Sequence, residues 1–258
     1  MNLVLPNGIS RSLSSPTDKV RSSERVRDLV FSRDGRQILA TAGDLLWQFD
    51  ASTGDEQWRF MPPRAWGFLI ISPLALSFSV SGLLAATTDN GLVYVWDDER
   101  RIVAKFGTNE PQRRIAFVGE TEELVGFEAF AMNRYDGRTG QRTARMTLPD
   151  KTYAAALSHD GKVAVVRTLS EVFILDAHNG KVLALRSLEA GLPLVACHPS
   201  QPVIAIGEDT FVSLVDWEGR LIDTVNLEDV EVISLTFHPD GETLSIGCSD
   251  HQIRHHPI

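Results

Sequence analysis

Short stretches of alternating apolar and polar residues recur along the chain, each ended by a turn built on Gly, Asp or Asn. Val26–Ser32 alternates, and Arg33-Asp34-Gly35 turns the chain. Arg36–Ala42 is a strongly apolar second strand, Leu45–Phe49 a third, and Glu56–Phe60, after the turn at Thr53-Gly54, a fourth. Similar punctuation appears at Asn90-Gly91, His159-Asp160-Gly161, Asn179-Gly180 and Asp240-Gly241. Such pairs supply the positive φ that tight hairpin turns require. No stretch sustains a helical period, so the pattern predicts an all-β protein built from four-stranded units.

The units repeat. The first strand of each ends at Phe31, Phe78, Phe117, Leu157, Cys197 and Phe237, at spacings of 47, 39, 40, 40 and 40 residues. Asp50, Asp97, Asp136, Asp176 and Asp216 each follow their anchor by 19 residues, and the sixth unit reaches that offset at His256. One sheet cannot bury both of its faces, whereas sheets stacked radially bury one another's. The spacing therefore predicts a β-propeller of six blades over residues 26–258; seven blades or an open ring are the alternatives. The sixth unit offers only Ile233–Phe237, Thr243–Gly247 and Gln252–His256. Residues 1–25 are expected to supply the closing strand, from Leu3-Val4-Leu5 or Ile9–Leu13, and a polar linker.

The units resemble WD repeats, in which a blade reads Phe-Ser-Pro-Asp-Gly, an apolar strand, Trp-Asp and Thr-Gly. The residues that carry the resemblance are Phe31-Ser32-Arg33-Asp34-Gly35, Phe237-His238-Pro239-Asp240-Gly241, Trp96-Asp97 and Tyr135-Asp136-Gly137-Arg138-Thr139-Gly140. The Gly-His pair that often precedes the first strand is absent, and Phe49, Tyr135, Leu175 and Val215 stand where Trp96 does. The resemblance implies a WD-type propeller that serves as a protein-interaction platform. Asp50-Ala51-Ser52-Thr53-Gly54, followed by Trp58, also resembles the docking turn of quinone-type propellers, but later units hold Lys105, Ala144 and Ala184 at that place.

Two features interrupt the regular repeat. Asp50 to Phe78 spans 28 residues where later connections span 20 or 21, which places extra, largely apolar residues near Met61–Pro73. Arg64, Trp66, Phe68 and Leu69 in that loop are candidate partner-binding residues, since exposed aromatic side chains make natural anchors; a lid folded back on the propeller is the structural reading. Acidic residues also occupy or adjoin the turn between second and third strands in every unit: Asp44, Asp89, Glu128, Glu171, Glu208, Asp209 and Asp250. Glu228, Asp229 and Glu231 add to them from the last connection, and Arg64, Arg113, Arg114 and Arg167 offset them in part. The functional expectation is an acidic face that steers a basic partner. The structural one, which the resemblance supports, is that these side chains cap their own turns.

Composition narrows the function classes. The chain has 258 residues, 43% apolar and 23% charged, enough to bury a core without staples. With 25 Lys+Arg against 34 Asp+Glu its net charge is −9, which argues against general nucleic-acid binding. Two cysteines exclude a disulfide framework: Cys197 reads as a small core residue, and neither it nor Cys248 as catalytic. His159, His198 and His238 take equivalent first-turn positions in successive blades, too far apart to share a metal. His251, His255 and His256 cluster near the end, but His255 and His256 are strand neighbours that point to opposite faces. No phosphate-cradling, nucleophile-elbow or zinc-protease motif occurs. The expectation is thus a non-enzymatic platform or complex subunit with protein partners, no cofactor or metal, no membrane insertion and a cytoplasmic location. The alternatives are an enzyme or small-ligand binder using the central channel, a quinone-type scaffold, and a subunit completed by its own copies.

Overall fold

The computed structural model describes residues 2–4, 10–12, 26–32, 34–42, 44–63, 73–112, 114–188, 192–238, 240–250 and 252–258, and every statement below concerns these. They form strands and turns without a helix. A hairpin of β1 (Asn2–Val4) and β2 (Ser10–Ser12) comes first. Six antiparallel sheets follow in chain order. The first holds β3 (Val26–Phe31), β4 (Gln37–Ala42), β5 (Leu45–Asp50) and β6 (Glu56–Phe60). The second holds β7 (Pro73–Phe78), β8 (Leu84–Thr88), β9 (Leu92–Trp96) and β10 (Ile102–Gly107). The third holds β11 (Arg114–Phe117), β12 (Glu123–Phe127), β13 (Ala131–Asp136) and β14 (Arg142–Thr147). The fourth holds β15 (Ala154–Leu157), β16 (Val163–Arg167), β17 (Glu171–Asp176) and β18 (Val182–Ser187). The fifth holds β19 (Leu194–Cys197), β20 (Val203–Glu208), β21 (Phe211–Asp216) and β22 (Leu221–Asn226). The sixth has three strands, β23 (Val232–Phe237), β24 (Thr243–Cys248) and β25 (Ile253–Pro257).

The chain divides into two compact units, residues 1–126 with 134–143 and residues 127–133 with 144–258. In the first, β3 lies beside β7 and β7 beside β11; in the second, β15 lies beside β19 and β19 beside β23. First strands therefore neighbour first strands, and the second and third strands of each full sheet are buried on both faces. Val163–Arg167 and Val203–Glu208 have no exposed residue, which is why these strands read as apolar runs. Fourth strands alternate half-buried and exposed, as in β14 and β18, because only one face meets a neighbour. Trp58, Phe60, Tyr94 and Trp96 pack the first two sheets together, with Trp58 edge-on to Trp96 at 5.7 Å.

One expectation falls mostly outside the described residues, and one needs correction. Of residues 1–25, which were expected to supply the closing strand, only a hairpin is described: β1 pairs with β2, Leu3 opposite Arg11. A hairpin partner a few residues away costs the least loop entropy. Leu5, Ile9 and Leu13 lie outside the described residues. In the last sheet Thr243 pairs with Pro257, as Gln37 pairs with Asp50, Val163 with Asp176 and Val203 with Asp216. Pro257, not His256, thus holds the aspartate position, because the turn after Cys248 is one residue longer.

Candidate interaction surface

The repeated aspartates are turn caps. Asp50 Oδ1 accepts the N–H groups of Ser52 and Thr53 at 2.8 and 2.9 Å, and Asp136 and Asp176 do the same with Arg138 and Thr139, and with His178 and Asn179. Hydrogen bonds to the charged form hold these carboxyls below the ordinary range, with the Ser52 hydroxyl foremost at Asp50, which falls to about 2. Each turn then needs a left-handed residue, supplied by Gly54, Gly140, Gly180 and Gly219.

The second sheet departs from this rule. Arg100, φ 63°, stands where the others have glycine. Its guanidinium reaches the first sheet, donating to Gln48 Oε1 at 2.6 Å and Gln37 Oε1 at 3.0 Å while stacking over Trp58 and Phe78. It borders an open cleft of ≈ 500 Å³ lined also by Asp34, Phe78, Val80 and Asp98. Asp28 is a second residue that sequence reasoning missed. Burial raises its carboxyl although Arg114 lies 3.7 Å away, and it accepts the Leu76 N–H across the first strands at 2.8 Å. Its only signal in the sequence is a charge inside a first strand.

The turns between second and third strands carry the expected acidic residues, in three different states. Glu128 and Glu208 are buried: Glu128 pairs with Arg145 at 2.8 Å, and Glu208 accepts the Ser213 hydroxyl at 2.7 Å. Both are therefore withdrawn from any partner, a correction to the acidic-face set, because a buried carboxylate must find its partner inside. Arg167, expected to offset the face, is buried too and donates to the Gly207 carbonyl. Asp44 and Glu171 are half-buried in their turns, and Asp89 is exposed. Asp209, Glu228, Asp229, Glu231 and Asp250 are exposed in the second unit. Backbone hydrogen bonds knit these together: Leu227 N–H donates to Thr210, Val232 N–H to Asp209 and Ser249 N–H to Glu231, at 2.8–3.0 Å. Among the described residues only Asp250 of these five has a cationic partner, Arg254 at 3.0 Å. Glu228 and Asp229 hold left-handed φ of 51° and 62°.

The same connection device recurs in the preceding sheets, where Leu148 N–H donates to Phe130 and Leu188 N–H to Ser170. Two large apolar side chains stand exposed at these turns, Phe130 at 50% and Leu169 at 66%. No pattern rule singles them out, since Phe130 lies within the apolar run Ala129–Met132 and Leu169 is one apolar residue in a short polar turn. Arg64, Trp66, Phe68 and Leu69 lie outside the described residues, as does Arg113; Met61, just before, is exposed.

The histidines are not equivalent. Ser158, His198 and His238 share the first-turn position, each N–H donating to the start of the second strand, and His159 sits one residue later. Among the described residues no cluster of His, Cys, Asp and Glu could hold a metal, and no helix is long and apolar enough to cross a membrane. Burial pushes the Cys248 thiol up.

The family described as WD domain, G-beta repeat, matches residues 220–256. That stretch runs from β22 through β25, so the repeat is staggered against the sheets: the fourth strand of one blade, then three of the next. No curated protein matches. A chain of the crystal structure of a mitotic checkpoint complex is similar in fold, with a TM-score of 0.79 at 15% identity over 98% of this chain and 79% of that one. The family match covers one repeat of the chain, and the likeness to that structure shows a β-propeller fold.

Proposed function

We propose that this propeller is a non-enzymatic interaction platform, a subunit of a multiprotein assembly, whose partner brings a basic surface to the turns of the second unit. The observation that carries the reading is the knitted patch of Asp209, Glu228, Asp229, Glu231 and Asp250, four of whose five carboxylates have no cation within ion-pair distance among the described residues. Unpaired exposed charge raises the encounter rate with an oppositely charged partner. Phe130 and Leu169, exposed on the corresponding turns of earlier sheets, supply apolar anchors of the kind that dominate binding energy. That a chain of similar fold occurs in a multiprotein complex supports the same reading. The loop with Arg64, Trp66, Phe68 and Leu69 is a second contact in this proposal.

The test is neutralisation rather than reversal, because Asn tolerates the left-handed backbone. Asp209→Asn with Glu228→Asn and Asp229→Asn is expected to slow association with a captured partner by about tenfold at low salt and to flatten its salt dependence, with the melting temperature unchanged. Identical association kinetics in wild type and variant would remove the acidic patch from the interface.

A further inference from the structure

A continuous seam of hydrogen-bonded backbone runs along one end of the second unit. The connection into the fourth sheet lies on the Ala129-Phe130 turn: Leu148 N–H donates to Phe130 at 2.9 Å and Thr152 N–H to Ala129 at 2.7 Å. Tyr153 N–H then donates to Arg167, beside the Leu169-Ser170 turn, and Leu188 N–H to Ser170, both at 2.8 Å. The bonds described at Asp209, Thr210 and Glu231 carry the seam through the turn of the fifth sheet to Ser249 in that of the sixth. The turns of these four sheets therefore stand in chain order along one end of the unit.

The exposed side chains change character along this seam. Leu192, 49% exposed in the connection into the fifth sheet, joins Phe130 and Leu169. Charge beside them is balanced, since Asp150 and Lys151 are neighbours and the Lys151 ammonium lies 5.3 Å over the Tyr153 ring. From Asp209 to Asp250 the exposed charged residues of the turn and connection are acidic. Two-residue hairpin turns favour Gly, Asn and Asp. Asp209-Thr210 meets that preference, whereas Ala129-Phe130 and Leu169-Ser170 do not, and none of them has a positive φ. Neither turn chemistry nor burial thus accounts for a phenylalanine at one tip and a leucine at the next.

We propose that the seam receives one continuous segment of a partner protein, apolar where it covers Phe130, Leu169 and Leu192 and rich in Lys or Arg where it covers the acidic turns. The inference rests on the acidic-patch reading above and deepens it, because the basic surface becomes one half of a bipartite motif. Charge complementarity fixes that half. A uniformly basic segment would lay its charges on three apolar side chains, and a uniformly apolar one would take unpaired carboxylates out of water without compensation. The order of apolar and basic residues within the segment therefore supplies specificity, and the apolar anchors supply most of the binding energy.

The probes are three short fluorescent peptides. One has a tryptophan-leucine block, a glycine-serine spacer and a run of lysines; the second scrambles that composition; the third replaces the apolar block with serines. The block peptide is expected to bind the full chain at least about tenfold tighter than either control. Phe130→Ser with Leu169→Ser should erase that ratio and leave the melting temperature unchanged, since both side chains are exposed. Asp209→Asn with Glu228→Asn and Asp229→Asn should weaken the block and serine peptides alike and flatten their salt dependence. Should the Phe130, Leu169 variant fail to fold, the unaltered chain decides. A nitroxide at the leucine end of the bound block peptide should broaden the amide resonances of Phe130 and Leu169, and one at the lysine end those of Asp209 and Asp229. The inference is overturned if the block peptide binds no tighter than the scrambled one or if both nitroxides broaden the same turns. It is also overturned if the chain dimerises through this seam, a second copy then being the occupant. A serine peptide that loses affinity on neutralisation, with no gain for the block peptide, removes this inference and leaves the acidic-patch reading standing. Peptides indifferent to neutralisation remove both.

Discussion

His198 Nε2 lies 2.8 Å from the carbonyl oxygen of Gly241, two turns in adjacent sheets tied by one imidazole. The Nδ1 atom accepts the N–H groups of Ser200 and Gln201 at 3.1 and 2.8 Å, so Nε2 carries the proton and donates. The ring also meets Phe237 edge-on at 5.1 Å. His198→Ala leaves the buried Gly241 carbonyl without this donor and the Ser200 and Gln201 N–H groups to water, and is expected to cost about 1–3 kcal/mol in urea unfolding. Gly241→Ala should be destabilising as well, since φ is +80° and a Cβ would stand 2.5 Å from the imidazole Cε1.

Arg100 separates two costs. Its left-handed backbone costs about 1 kcal/mol relative to glycine, while its guanidinium clamps Gln37 and Gln48 of the first sheet. Arg100→Ala keeps the strain and loses the clamp; Arg100→Gly loses both. Both variants should be less stable than wild type, with Arg100→Gly the more stable of the two by about 1 kcal/mol. Thermal melts of the pair check the order, and the reverse order would mean that the backbone there is unstrained.

The cap at Asp50 sets a pH dependence. Its folded pKa, about 2, lies below the unfolded value of about 3.9, so the folded state binds the proton less tightly. Its contribution is present above about pH 4 and is lost as pH falls through the folded value. Asp50→Asn should lower the melting temperature at pH 7, and the gap should close towards pH 2. A gap that stays constant with pH would show that the cap acts without its charge.

Trp66→Ala with Phe68→Ala tests the long connection after Met61. If that loop contacts a partner, the double variant should weaken binding by at least about 2 kcal/mol and leave unfolding unchanged. A loss of several kcal/mol of stability with full affinity would identify a lid instead.

The strand pattern was legible because its cause is local. Alternation, Asp-Gly and Asn-Gly turns and apolar second strands follow from pleat geometry and positive φ, and the observed strands fall within a residue or so of Val26–Ser32, Glu56–Phe60 and Thr243–Gly247. The caps at Asp50, Asp136 and Asp176 were legible for the same reason, since an aspartate and the two N–H groups it accepts lie within one turn.

Other features depend on what arrives from elsewhere in the chain. Glu128 and Asp209 occupy similar turns, yet Arg145 reaches one and buries it while the other stays in water. Arg100 reads as one more charge in a polar turn until Gln37 and Gln48 are placed beneath it. The sequence by itself thus determined the repeat, its strands and its turn caps, because those energies are settled within a few residues. Tertiary structure alone decided which charges remain exposed, because that depends on distant groups displacing water from a carboxylate.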